Sequence, residues 1–261
     1  MPKRLIIEDL IILGRACPER TKDGRVTVCT AGYSPTLGFI RIYPTRIDMP
    51  LKRWSIVRVP VERNPRDPRW ESWKIQGSRS EWERLSEKVE VLGEYPKKER
   101  LRLIMSLVDP CVEAIREEGR SLGIVKPIIK YFYFSEKEDY DVSQQMTLLG
   151  YPLPKTRNGY PLHPRIVYRC SGCRIKGYHD QQILEWGFYE WLRKNPDKPE
   201  QVWENAKILD PDYVKFFLVG NLYKYPNRFI VISVLRLKKE PITGWLIQPK
   251  KITRFPISDD E

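Results

Sequence analysis

Leu5-Ile6-Ile7-Glu8-Asp9-Leu10-Ile11-Ile12-Leu13 places seven apolar side chains in nine positions. A strand with one wet face alternates apolar and polar residues. This run breaks its apolar series only at Glu8-Asp9, so both of its faces need cover and the strand belongs inside a core. Working outward, Arg25 to Ala31, Gly38 to Tyr43 and Trp54 to Glu62 are short runs of β-branched and aromatic residues. Turn signals such as Lys22-Asp23-Gly24-Arg25 and Gly32-Tyr33-Ser34-Pro35 separate them. Short strands at about 12-residue spacing predict a small barrel or sandwich in residues 1–76.

Helical spacing follows, with Trp82, Leu85, Val89 and Leu92 predicting a helix over Ser78 to Leu92. Asp109-Pro110 reads as an N-cap with proline at the first helical position, the helix ending near Gly119. Tyr131-Phe132-Tyr133-Phe134 is a short strand, and Ser135 to Asp141 an acidic connection. Pro152, Pro154, Pro161 and Pro164 then hold an extended segment, since proline fixes φ and lacks a donor. Helices over Asp180 to Lys194 and Glu200 to Ile208 precede strands at Tyr213 to Val219, Arg228 to Leu237 and Gly244 to Ile247. The expected fold class is α+β: an OB-like barrel with its following helices in 1–140, and a helix-and-sheet C-terminal module in 141–261. The sequence shows no internal repeat.

The 261 residues are 41% hydrophobic and include 8 Trp and 14 Tyr, enough apolar material for a packed core. The formal net charge of +12 bears on partners rather than on fold, and nucleic acid is the leading partner. No apolar run approaches the ~18 residues of a membrane span. The opening Met1-Pro2-Lys3-Arg4 with its apolar run lacks the cleavage site of a signal peptide, which predicts a cytoplasmic protein. Five cysteines, an odd number in a long chain, do not form a secreted disulfide framework.

Between Tyr151 and Tyr178 the chain carries Lys155, Arg157, Arg165, Arg169, Arg174 and Lys176 with no carboxylate. Tyr160 and Tyr168 are interleaved with them. Cations attract phosphates whatever the sequence, and aromatic faces stack on unpaired bases. Within this tract lie Cys170-Ser171-Gly172-Cys173 and, six residues on, His179. Two thiols and an imidazole suit zinc, which needs a fourth ligand. Cys111, in the first turn of its predicted helix, is the leading choice, with Cys29, Cys17 and His163 as others. An iron–sulfur cluster would use Cys111, Cys170, Cys173 and one N-terminal cysteine.

A second basic region runs from Arg41 to Lys74, with nine cations and four carboxylates around Tyr43, Trp54, Trp70 and Trp73. Here Arg41, Arg53, Trp70 and Trp73 are candidate contacts, tryptophan beside arginine being suited to base stacking. A third, Lys224 to Arg254, has eight cations against Glu240 alone.

Catalytic signatures are weak. His179, Asp180 and Glu185 could serve a metal-dependent nuclease, yet on one helix the two carboxylates would diverge by about 140°. Glu71 and Lys74 resemble a restriction-type pair, but their spacing puts them on opposite faces of a strand. No P-loop, GxGxxG, GxSxG or HExxH motif occurs.

Val26-Thr-Val-Cys-Thr-Ala-Gly32, Phe39-Ile-Arg-Ile-Tyr-Pro44 and Asp67-Pro-Arg-Trp-Glu-Ser-Trp-Lys74 together resemble the N-terminal part of a family of uncharacterised prokaryotic proteins. Tyr168-Arg-Cys-Ser-Gly-Cys173 through His179, with Glu185-Trp186 and Phe216-Phe-Leu-Val-Gly220, is similar to its C-terminal part. Where that pattern carries Asp-Trp-Glu, this chain has Glu185-Trp186-Gly187. The chain also bears a distant resemblance to proteins with paired OB-type barrels. The expectation is a nucleic-acid-binding subunit of a defence or mobile-element complex. The alternatives are the nuclease and an adaptor for an acidic protein partner.

Overall fold

The computed structural model describes residues 3–65, 67–136 and 156–239. Lys155, the strand expected over Gly244 to Ile247 and the boundary at 140/141 lie outside them. The first half contains β1 (Arg4–Arg15), β2 (Glu19–Arg20), β3 (Val26–Ser34), β4 (Gly38–Thr45), β5 (Ser55–Arg63), β6 (Ser72–Ile75) and β7 (Glu90–Glu94). β1 pairs antiparallel with β3 on one side and β5 on the other, β3 pairs with β4, β4 runs parallel to β6, and β6 closes on β5. The result is a closed five-stranded barrel, with β2 attached to β3 and β7 to β5.

β1 has two apolar faces for the reason its sequence implies. Ile7, Leu10 and Ile12 enter the barrel interior with Ile40, Ile42, Val57, Val59 and Trp73. Ile11 and Leu13 face outward into a second core with Leu122, Ile124, Phe216, Leu218 and Ile232 from the C-terminal half. The register of β1 shifts between Ile7 and Leu10, where Glu8 and Asp9 sit. Each fully buried Ile or Leu contributes about 1.5–3 kcal/mol. Gly32 lets β3 lie close to β1: a Cβ there would meet the Ile11 backbone oxygen and sit 2.9 Å from Leu10 Cδ1. Gly32→Ala is expected to cost about 1–3 kcal/mol by overpacking. A denaturant midpoint unchanged from that of the parent would refute this account.

The remaining elements are α1 (Arg100–Ser106), β8 (Val108–Asp109), α2 (Val112–Glu117), β9 (Leu122–Val125), β10 (Pro127–Glu136), β11 (Leu162–Cys170), β12 (His179–Gln182), α3 (Trp186–Lys194), α4 (Gln201–Asn205), β13 (Tyr213–Leu222) and β14 (Tyr225–Lys238). β10 pairs with β11 and β11 with β12; Ile183, just past β12, bridges parallel to Val231 of β14. β14 pairs with β13, and β13 with β9, which only Lys126 separates from β10. With β9 and β10 taken as one strand, this circuit repeats the pairing order of the first barrel.

Three predicted helices differ. The 82–92 pattern is a 3₁₀ turn over Trp82–Lys88 followed by β7, because Leu85 and Val89 already reach the barrel core and Val91 continues as a strand partner of Val57. The helix expected from Asp109 starts at Val112, with Cys111 extended at the N-cap position. Asp109 instead lies in β8, where it pairs with Arg120 and accepts from the Ile124 amide at 3.1 Å. Gly119, with φ of 69°, follows that helix as expected. Finally, Asp180 stands on β12, not on a helix, and α3 begins at Trp186. His179 and Gln181 point inward while Asp180 and Gln182 point outward, the period-2 pattern of a strand.

Candidate functional site

β11 ends at Cys170, an inward position, and the turn beyond it brings Cys173 back toward the first residue of β12, His179. The Cys170 and Cys173 sulfurs and a His179 ring nitrogen all lie within 4.8 Å of one another, and Cys173 Sγ is 3.4 Å from His179 Nε2. Backbone contacts hold the turn: Cys173 N–H donates to the Cys170 carbonyl, Ser171 N–H to Lys126 and Gly172 N–H to Pro110. Burial pushes the Cys170 thiol up to about 12, opposed by a backbone N–H of Val112 directed at its sulfur. Burial also lowers the His179 pKa, which nearby Glu113 partly offsets, so the imidazole is neutral and able to ligate. These three residues can bind a metal.

The other proposed ligands lie outside this group, Cys111 being the one near enough to Cys170 to act on its thiol electrostatically. Among the described residues no further Cys, His, Asp or Glu joins the group within that distance. Cys111 is fully buried beside α2, Cys17 lies in the core of the C-terminal half, and Cys29 is half-buried against it. The His163 ring packs near the Tyr189 hydroxyl at 3.2 Å and Gln182 Nε2 at 3.0 Å. The group therefore offers two thiols, short of the four an iron–sulfur cluster takes from cysteine.

Next to this group lies a basic and aromatic face. Register across β10, β11 and β12 sets Ile128 beside Arg169, Tyr131 beside Val167 and Asp180, and Tyr133 beside Arg165 and Gln182. Ile128 is 63% exposed, Tyr131 50% and Tyr178 47%. The Lys130 ammonium sits 4.3 Å from the Tyr178 ring centre, and the Arg169 guanidinium 6.0 Å from it. Arg165 bonds the Tyr133 hydroxyl and Asp180. Lys130, Tyr131, Tyr133 and Ile128 did not stand out in the sequence. Their signal was the alternation of a strand beginning at Pro127, four residues before the Tyr131 start read from the aromatic run.

The acid-free tract is partly neutralised in three dimensions. Arg157 pairs with Glu19 at 2.9 Å, Arg165 with Asp180 at 3.0 Å and Arg174 with Glu117 at 3.4 Å. Such half-exposed pairs are worth only about 0–1 kcal/mol. Arg169 donates to the Ile175 carbonyl, and neither it nor Lys176 has a carboxylate within ion-pair distance among the described residues.

Several candidate contacts point elsewhere. Tyr168 is fully buried, with its hydroxyl on Gln181 and its ring edge against Phe217, so it cannot stack on a base; Tyr178 is the exposed tyrosine. Arg41 is buried and donates to the Ser121 carbonyl at 3.0 Å. Arg53 pairs at 2.6 Å with buried Glu185. Trp73 lies inside the barrel under Arg63, while Trp70 is 46% exposed. Glu71 is buried on the Ser121 and Leu122 amides, and Lys74 pairs with Glu62. The carboxylates of Glu71 and Glu185 thus bind the two halves together, and Asp180 is held by Arg165. Tyr223, in the turn after β13, and Tyr225, at the start of β14, are exposed, with Arg69 and Arg228 over their rings.

A protein-family profile described as a domain of unknown function (DUF8758) matches residues 7–105, which cover the closed barrel from Ile7 onward and α1 through Met105. No curated protein and no solved structure matches the chain. No helix among the described residues is long and apolar enough to cross a membrane.

Proposed function

We propose that the protein binds single-stranded nucleic acid across the outer face of β10, β11 and β12. The observation that carries this reading is the set of exposed Tyr131 and Tyr178 rings among Lys130 and Arg169, beside the apolar Ile128. Flat aromatic faces next to cations suit stacked bases and their phosphates. Lys176 and Arg174, on the turn between β11 and β12, extend the charge. Arg165 takes part in orienting Tyr133 rather than as a wholly available cation.

The strand order supports the same reading. Both circuits run 1-2-3-5-4 and back to 1 with the third and fifth strands parallel, which is the order of an OB-type barrel. Barrels of that type bind oligonucleotides on the face of strands 2 and 3, and here those strands are β11 and β12. The proposed face includes them.

Binding is expected to weaken with salt, log affinity falling with a slope of about −0.7 per phosphate neutralised on a single strand. Lys130→Ala with Arg169→Ala should flatten that slope by about 1.4 on the same basis. Tyr131→Ala and Tyr178→Ala should each cost about 1–3 kcal/mol with little change in slope. Lys98→Ala, an exposed cation far along the chain, is the charge control. Fluorescence anisotropy with labelled DNA and RNA oligonucleotides and duplexes measures all of these. Absence of binding at low salt, a flat salt response, or equal losses for Lys98→Ala would overturn the reading.

A further inference from the structure

We propose that Glu113 is the fourth ligand of a structural zinc site formed with Cys170, Cys173 and His179. Its Oε2 lies 3.7 Å from His179 Nε2, is buried, and has no hydrogen-bond partner. A carboxylate oxygen withdrawn from water without a donor is costly unless a cation meets it. Zinc at about 2.3 Å from sulfur and 2.0–2.1 Å from nitrogen separates tetrahedral ligands by roughly 3.5 Å, and Cys173 Sγ and His179 Nε2 stand 3.4 Å apart.

Glu113 and Cys111 flank Val112 at the start of α2, and both lie outside the group of three. Their reach differs. Cysteine has one side-chain torsion, and Cys111 is fully buried at an extended N-cap residue. Glutamate has three torsions, and its unpartnered oxygen is already next to the imidazole. Zinc here would join the end of β11, the following turn and α2, fixing the turn that carries Arg174, Lys176 and Tyr178. Loading displaces the two thiol protons as the sulfurs become thiolates.

The test uses the purified full chain without nucleic acid, so its outcome is separate from that of the binding assay. Elemental analysis after zinc loading should find one zinc per chain. Cobalt(II) substitution should give a tetrahedral visible spectrum whose sulfur charge-transfer intensity corresponds to two thiolates. In chelator competition, Glu113→Gln should weaken apparent zinc affinity by roughly tenfold or more. Cys111→Ser and Glu117→Gln, on the same segment, should leave it within about twofold of the parent. Circular dichroism establishes that each variant is folded, and the cobalt spectrum of the unmutated chain decides the ligand set if one is not. The proposal is overturned by a chain that holds no zinc after exposure to it, whether or not Cys170 and Cys173 form a disulfide. It is equally overturned by a three-thiolate cobalt spectrum with loss of zinc in Cys111→Ser.

Discussion

Glu71→Ala is expected to lower stability by about 3–5 kcal/mol, because it leaves several buried donors without an acceptor. Glu71 is fully buried, and its carboxylate accepts from the Ser121 amide at 2.6 Å, the Leu122 amide at 3.2 Å and the Ser121 hydroxyl at 2.9 Å. Alanine would leave two buried amides and a hydroxyl without an acceptor, each costing about 1–3 kcal/mol. The same few residues join the barrel to the C-terminal half. Arg41 donates to the Ser121 carbonyl, Asn221 N–H donates to it as well, and Arg69 donates to the Asn221 carbonyl. Glu71→Gln keeps one acceptor oxygen and should lose about half as much. Denaturant unfolding checks this, and a transition that splits in two would mean that the halves have become separate cooperative units. A loss below about 1 kcal/mol with one transition would show that these bonds contribute little.

Glu185→Ala is expected to cost a similar 3–5 kcal/mol, at another polar contact between the halves. One oxygen of Glu185 pairs with Arg53 at 2.6 Å, and the other accepts from the Val234 amide at 2.6 Å. Arg53 also donates to the Val234 carbonyl at 3.3 Å, so a residue just before β5 is tied to β14. Arg53→Ala should cost less, because Arg236 stays 3.9 Å from Glu185 and its own side chain is a quarter exposed. The double variant should depart from additivity by about 0.5–3 kcal/mol, as residues in one network do. Strict additivity of the two single changes would mean that the ion pair carries no coupling. Neither substitution is expected to alter zinc content, since both residues lie outside the group of sulfurs and imidazole.

Both results bear on how far local patterns reach. Arg41, Arg53 and Trp73 looked like binding residues because they fall in a basic, aromatic stretch. Composition does not reveal whether a guanidinium meets water or a carbonyl from 80 residues away, and Arg41 meets Ser121. Asp67 to Lys74 resembled a catalytic pattern for a related reason: a buried polar network and an active site use the same residue types. Tyr168 and Tyr178 are ten residues apart in one basic tract, yet Tyr168 faces the core from β11 while Tyr178, just before β12, lies on the surface. The 82–92 spacing misled because contacts three residues apart also suit a 3₁₀ turn.

The chain's own order of residues determined that this is a strand-rich protein with a two-faced first strand, a net positive charge, and two thiols spaced for one turn. Those properties follow from local periodicity, turn residues and composition, which act over a few positions. The tertiary structure alone decided which cations are exposed, that Glu113 approaches His179, and that the second half repeats the pairing order of the first. Each of these is set by contacts between distant segments, where backbone pairing and burial, with no requirement for similar side chains, determine what meets what.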